Sequence, residues 1–155
     1  IHWAVEGDTQ APAFAQRIGL ASHAAKLKYR HGPLDLSFES LGLETGNRHP
    51  IGRNFDKVHF HDESYWQMQG DPAKITLIAT GIEDNEPRPL FWTLEPAVPG
   101  AKEQGRVFVS ILGHYSWTFD DPLFRILLLR GIAWSAKDDV DRFNELATIG
   151  VKLSE

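Results

Sequence analysis

The sequence predicts an α/β fold in which strands outnumber helices. Three observations carry that expectation. Runs with strand character recur along the chain: LDLSFE at 34–39, KVHFH at 57–61, KITLIAT at 74–80, LFWTL at 90–94 and RVFVSIL at 106–112;. One late run, LFRILLLRGIAWSA at 123–136, reads as a strong helix. Helical segments are otherwise too few for a self-sufficient doubly wound sheet, which needs helices on both faces. The sheet is therefore expected to be incomplete at its N-terminal side.

The elements follow in order. IHWAV at 1–5 reads as the end of a buried strand running into a loop. Residues 11–18 predict a short helix, with Pro12 in the first turn, where a missing N–H costs nothing. Residues 21–33 are basic and polar and predict an irregular loop. The alternation at 34–39 predicts a half-exposed strand. GLETGNRHPIGRN, within 41–54, is a turn-rich stretch;. A second alternating strand covers 57–61, with Asp62 and Glu63 expected at its end. Residues 74–80 predict a buried strand between Asp71-Pro72 and Gly81, and 81–88 a loop. Strands at 90–94 and 106–112 flank a hairpin loop or short excursion at 96–105. Asp120 or Asp121 can cap the late helix, with Pro122 at its first position. That helix is apolar nearly all round, which predicts burial on every side. Residues 138–147 predict a weaker amphipathic helix or tail.

Composition excludes several functions. The 155 residues suit one domain, able to bury roughly 70% of its unfolded surface;. There is no cysteine, hence no disulfide framework, thiolate metal site or Cys nucleophile;. The formal net charge is −5, without a basic stripe, which argues against nucleic acid as the main partner;. The longest apolar run, 126–129, falls far short of the ~20 residues of a membrane-spanning helix;. Neither GxGxxG, GxxxxGK nor GxSxG is present;. Five tryptophans can pack on sugar faces or fill the core, and the sequence leaves both readings open;.

Histidine carries the chemistry that remains. His2 stands just past the opening strand end, where α/β sheets place ligands. His114 follows Gly113 at the end of a strong strand, and the glycine lets the backbone turn so that the imidazole stands at the sheet rim. Packing of His114 on Trp117 is the structural alternative. The cluster HFHDESY, 59–65, places His59 and His61 on one strand face, followed by the carboxylates of Asp62 and Glu63;. Carboxylates beside imidazoles orient a histidine, bind a metal or share proton transfer. No standard zinc spacing is present. His49, before Pro50, points into a site or shapes the turn.

Taken together, IHWAV, RHPI, FDKVHFHDESYW, PLFWT and GRVFVSILGHYSWTFDDPLFRILLLRGIAW, in that order, resemble the ThuA-like (trehalose utilisation) family over residues 1 to about 136. The last block is the most specific. The resemblance implies a class I glutamine amidotransferase-like, flavodoxin-like three-layer α/β fold. It implies that IHWAV corresponds to the midpoint of such a domain, with a second chain or upstream segment completing the sheet. Amidotransferase relatives carry a Cys nucleophile on the elbow that IHWAV matches. Here that region offers His2, which excludes thiolate glutamine hydrolysis by this chain. The DExY motif falls on Asp62, Glu63 and Tyr65.

These matches define the expected site. His2, His114 and Glu63 are the candidate catalytic residues, and the same three are candidate ligands for a divalent metal ion. Tyr65, Trp3, Asp62 and Trp117 are candidate substrate contacts, with Asp62 equally suited to a structural cap. The resemblance associates the chain with disaccharides and oxidised (3-keto) sugars, so a small sugar is the expected substrate. Proton abstraction next to a ketone would suit a histidine base. A metal held by histidine and carboxylate would polarise the ketone. A non-catalytic carbohydrate-binding module and a structural subunit of a larger assembly stay open as alternatives.

Overall fold

A computed structural model describes residues 11–22, 26–38 and 49–150. Helix α1 (Ala11–Ile18) runs into strand β1 (Leu20–Ala21). Strand β2 (Lys28–Ser37) lies antiparallel to β3 (Lys57–Trp66) along its whole length. Strand β4 (Gln69–Gly70) pairs with β1 in a small separate sheet. Strands β5 (Thr76–Glu83), β6 (Glu86–Leu94) and β7 (Val107–Ser110) complete a five-stranded sheet of order β3-β2-β5-β6-β7. All its pairs are antiparallel. Helix α2 (Pro122–Ser135) packs against β7. The architecture is mixed α/β, as expected, built on an antiparallel sheet.

Strand alternation places the core. On β2, Gly32, Leu34 and Leu36 are buried while His31, Pro33 and Asp35 face outward. Leu34, Leu36, Phe60, Ile78, Leu90 and Phe91 meet Phe124 and Leu127 of α2 in one cluster. Asp121 caps that helix: its Oδ1 accepts from the backbone N–H of Leu123 at 2.8 Å and of Phe124 at 3.4 Å;.

Several expectations need correction. The polar stretch 21–33 is not a loop throughout, because β2 already begins at Lys28. Its first half is polar because it lines a polar site instead of the core. For the same reason β3 does not stop at His61: Asp62 and Glu63 lie within the strand, which runs to Trp66. Residues 81–88 form no long loop either. β5 and β6 continue into a two-residue turn at Asp84-Asn85, both at positive φ (53° and 61°), the left-handed pair that hairpin twist favours;. The start of the 74–80 strand is a 3₁₀ turn, Pro72–Lys74, capped by Asp71. Helix α2 is buried on one face only. Phe124, Leu127 and Trp134 are buried, yet Ile132 is 57% exposed and Leu123 43%. The sheet reaches its inner side alone. Residues 138–147 form turns leading into a 3₁₀ helix, Asn144–Thr148, in place of an α-helix. Asp138 and Asp139 accept from the backbone N–H groups of Asp139 and Asp141, and such local bonds compete with helical ones;.

Gly131 lets α2 approach the sheet. A Cβ there would sit 2.2–2.6 Å from three ring atoms of Phe108. Gly131→Ala should therefore lower stability by about 1–3 kcal/mol through overpacking. A urea midpoint equal to that of the unaltered protein would show that the Phe108 ring yields without cost.

Candidate functional site

The pairing of β2 with β3 sets the site. His31 lies opposite Glu63 and Tyr29 opposite Tyr65. The chain leaving β7 supplies the third element. Gly113 adopts φ +123°, and a Cβ there would also press on Phe119 at 3.1 Å, so glycine is required for this turn;. Asp62 fixes the turn from below. Its side chain is fully buried, Oδ2 accepts from the Gly113 N–H at 2.9 Å, and Oδ1 accepts from the N–H groups of His114 (3.0 Å) and Glu63 (2.7 Å). These are the contacts of a structural cap.

His114 is thereby set against Glu63. Its Nδ1 lies 2.9 Å from Glu63 Oε2, while His31 Nε2 lies 3.3 Å from Oε1. The Tyr65 hydroxyl donates to Glu63 Oε2. Burial, then the hydrogen bond and negative charge of Glu63, push the Tyr65 phenol well above its usual range, which keeps it a donor;. Glu63 itself is buried, with 4% of its side chain exposed. The two imidazoles are 5.1 Å apart, edge to face.

An aromatic wall adjoins them. The Tyr115 hydroxyl lies 2.8 Å from His31 Nδ1. Its ring stacks on Trp117 at 4.0 Å and 13°. The Trp117 indole N–H donates to the His61 carbonyl at 3.0 Å, and the side chain is half exposed. His114 packs on Tyr115, at 4.7 Å between centroids.

Of the expected site residues, the fold brings Asp62, Glu63, Tyr65, His114 and Trp117 together. His2 and Trp3 lie outside the described residues. Among the described residues, no three His, Asp or Glu side chains are grouped to hold a metal ion, and Glu63 Oε2 is already engaged by His114 and Tyr65. The sequence reading missed His31, Tyr115 and Tyr29. The two-residue period of β2, carried back from Asp35 through Pro33 to His31 and Tyr29, was the signal available.

The other histidines serve elsewhere. His59 meets Asp35 at 2.8 Å on the exposed strand face. His49 shapes the turn: its Nδ1 accepts from the Ile51 N–H at 3.3 Å, and its ring packs on Trp134 at 5.2 Å. Burial, then the nearby Arg106 charge, lowers its pKa from 6.5 to about 4. The folded protein thus keeps His49 neutral where the unfolded chain would protonate it. Stability should fall as pH drops from about 6.5 towards 4, and His49→Gln should flatten that part of a melting-temperature profile;. A profile that His49→Gln leaves unaltered would assign the loss to other groups.

Asp62→Ala should cost about 1–3 kcal/mol by orphaning buried N–H groups, and it should release the His114 turn. Thermal melting measures the first effect. Unchanged stability would mean that water replaces the carboxylate.

A buried carboxylate here bridges two histidines beside a stacked aromatic pair, on a mixed α/β scaffold, and carboxylate and imidazole in contact can exchange a proton. Residues 1–135 match the ThuA family, described as trehalose utilisation. The chain belongs to that family, which ties it to carbohydrate metabolism. No curated protein and no solved structure matches it.

Proposed function

We propose that this protein uses the Glu63–His114 pair to remove a proton next to the ketone of an oxidised (3-keto) disaccharide or glycoside. The observation that carries the reading is the 2.9 Å contact between His114 Nδ1 and Glu63 Oε2. With Nδ1–H directed at the carboxylate, Nε2 carries the lone pair, and Glu63 stabilises the imidazolium that forms. The C–H electron pair becomes the enolate. The enolate then expels the glycosidic oxygen from the neighbouring carbon, and that oxygen leaves with a proton. Water adds to the resulting double bond to complete hydrolysis. The Tyr65 oxygen, whose proton goes to Glu63, can accept from a sugar hydroxyl, and the half-exposed face of Trp117 suits a sugar ring. His2 and Trp3 keep the catalytic and binding places that the resemblance implies. The resemblance implies a flavodoxin-like three-layer arrangement, but such a fold has a mainly parallel sheet, and the described five strands pair antiparallel throughout;.

Incubation with a 3-keto-glycoside and with its parent sugar tests the reading. Turnover of the ketone alone, with solvent deuterium entering the carbon next to it, is the expected result. Binding of either sugar without turnover or exchange would favour a carbohydrate-binding role instead.

A further inference from the structure

We infer that Tyr115 is the acid that protonates the leaving oxygen, and that His31 is the positioning residue that links it to Glu63. The assignment rests on the acid–base reading above and supplies the proton that reading leaves without a source. The geometry is a continuous chain: Tyr115 hydroxyl, 2.8 Å to His31 Nδ1; His31 Nε2, 3.3 Å to Glu63 Oε1; Glu63 Oε2, 2.9 Å to His114 Nδ1. Both ring nitrogens of His31 are engaged, so His31 acts through Tyr115 and not on substrate directly.

A buried carboxylate is stable when one positive charge faces it. The relay requires that His31 start with its Nε2–H on Glu63 and its Nδ1–H on the Tyr115 oxygen. The Tyr115 hydroxyl hydrogen then points away, towards substrate. As the C–O bond breaks, Tyr115 gives this proton to the departing oxygen and takes the Nδ1 proton of His31. His114 meanwhile gains the proton lost by carbon. The imidazolium has moved from one oxygen of Glu63 to the other, and the unit's net charge is unchanged. Solvent restores the starting distribution. The His61 ring lies 6.4 Å from the Tyr115 ring, and Tyr29 lies 5.9 Å from His31, both centroid to centroid.

Tyr115→Phe and His31→Ala, assayed on two 3-keto-glucosides, separate an acid from a structural prop. One carries a sugar alcohol as leaving group and the other 4-nitrophenol, which leaves without needing a proton. Both variants should lose about 10²–10⁴-fold in kcat on the first, and Tyr115→Phe should lose little on the second. Tyr115→Phe should retain deuterium exchange next to the ketone, because His114 performs that step. Equal losses of Tyr115→Phe on the two substrates, or no loss on the sugar glycoside, would overturn the assignment while leaving the ketone reading in place. If the unaltered protein neither exchanges nor cleaves either compound, the ketone reading fails and this assignment falls with it.

Discussion

Glu63→Gln should reduce kcat on a 3-keto-glycoside by about 10²–10⁴-fold, the range expected when general-base catalysis is lost. The substitution keeps the shape of the side chain and removes its charge. A carboxylate can accept from His31, His114 and Tyr65 together. An amide turns an N–H₂ towards one of those donors and gives an imidazolium no counter-charge. His114→Ala should match this loss. Because 42% of the His114 side chain is exposed, the melting temperature should move little;. KM should change less than kcat in both variants, since the lost interaction strengthens as the imidazolium forms. Steady-state kinetics on the purified variants decides the matter. Glu63→Gln with undiminished kcat would remove the carboxylate–imidazole pair from the mechanism.

The second large effect concerns the core. Leu127→Ala should destabilise the fold by about 2–5 kcal/mol and Trp134→Ala by about 3–5 kcal/mol. Leu127 is fully buried within the main cluster. Trp134 is 6% exposed, packs on the His49 ring and lies under the Arg106 guanidinium at 4.9 Å. Neither touches the Glu63 network, so any residual folded protein should bind sugar normally. Chemical denaturation read alongside sugar affinity distinguishes the two roles. A Trp134→Ala protein of full stability and lost affinity would place that tryptophan in the binding site.

Much of the scaffold was legible where one local rule dominated. The α2 cap at Asp121 and Pro122 could be read from the chain, because capping depends on adjacent residues. So could the strands at 34–39 and 90–94, whose apolar patterns report burial. The N-terminal half of β2 and the later half of β3 were not legible in the same way. KYRHGP and HDESYW look like loops because their polar groups satisfy one another. Ser64 and Arg30 both bond Glu83, at 2.6 and 2.7 Å, and this carboxylate helps hold β2 beside β5, which share only the Ser37–Thr80 register pair. Hydrophobic periodicity fades in a strand whose inward groups are charged but paired, and only the two-residue alternation carried back along β2 remained as a signal.

The sequence by itself determined the mixed α/β class, the late helix, the family resemblance, and the chemical identity of Glu63, Tyr65 and His114 as a candidate set. It also excluded a thiolate mechanism, since no cysteine is present. Only the tertiary structure decided that His31 and Tyr115 join them, that Asp62 holds a turn 51 residues away, and that His49 stays outside. The physical reason is register. Cross-strand pairing sets His31 opposite Glu63, and two hydrogen bonds from the Gly113–His114 backbone to a buried carboxylate bring in the third element. Neither follows from the spacing of residues along one strand.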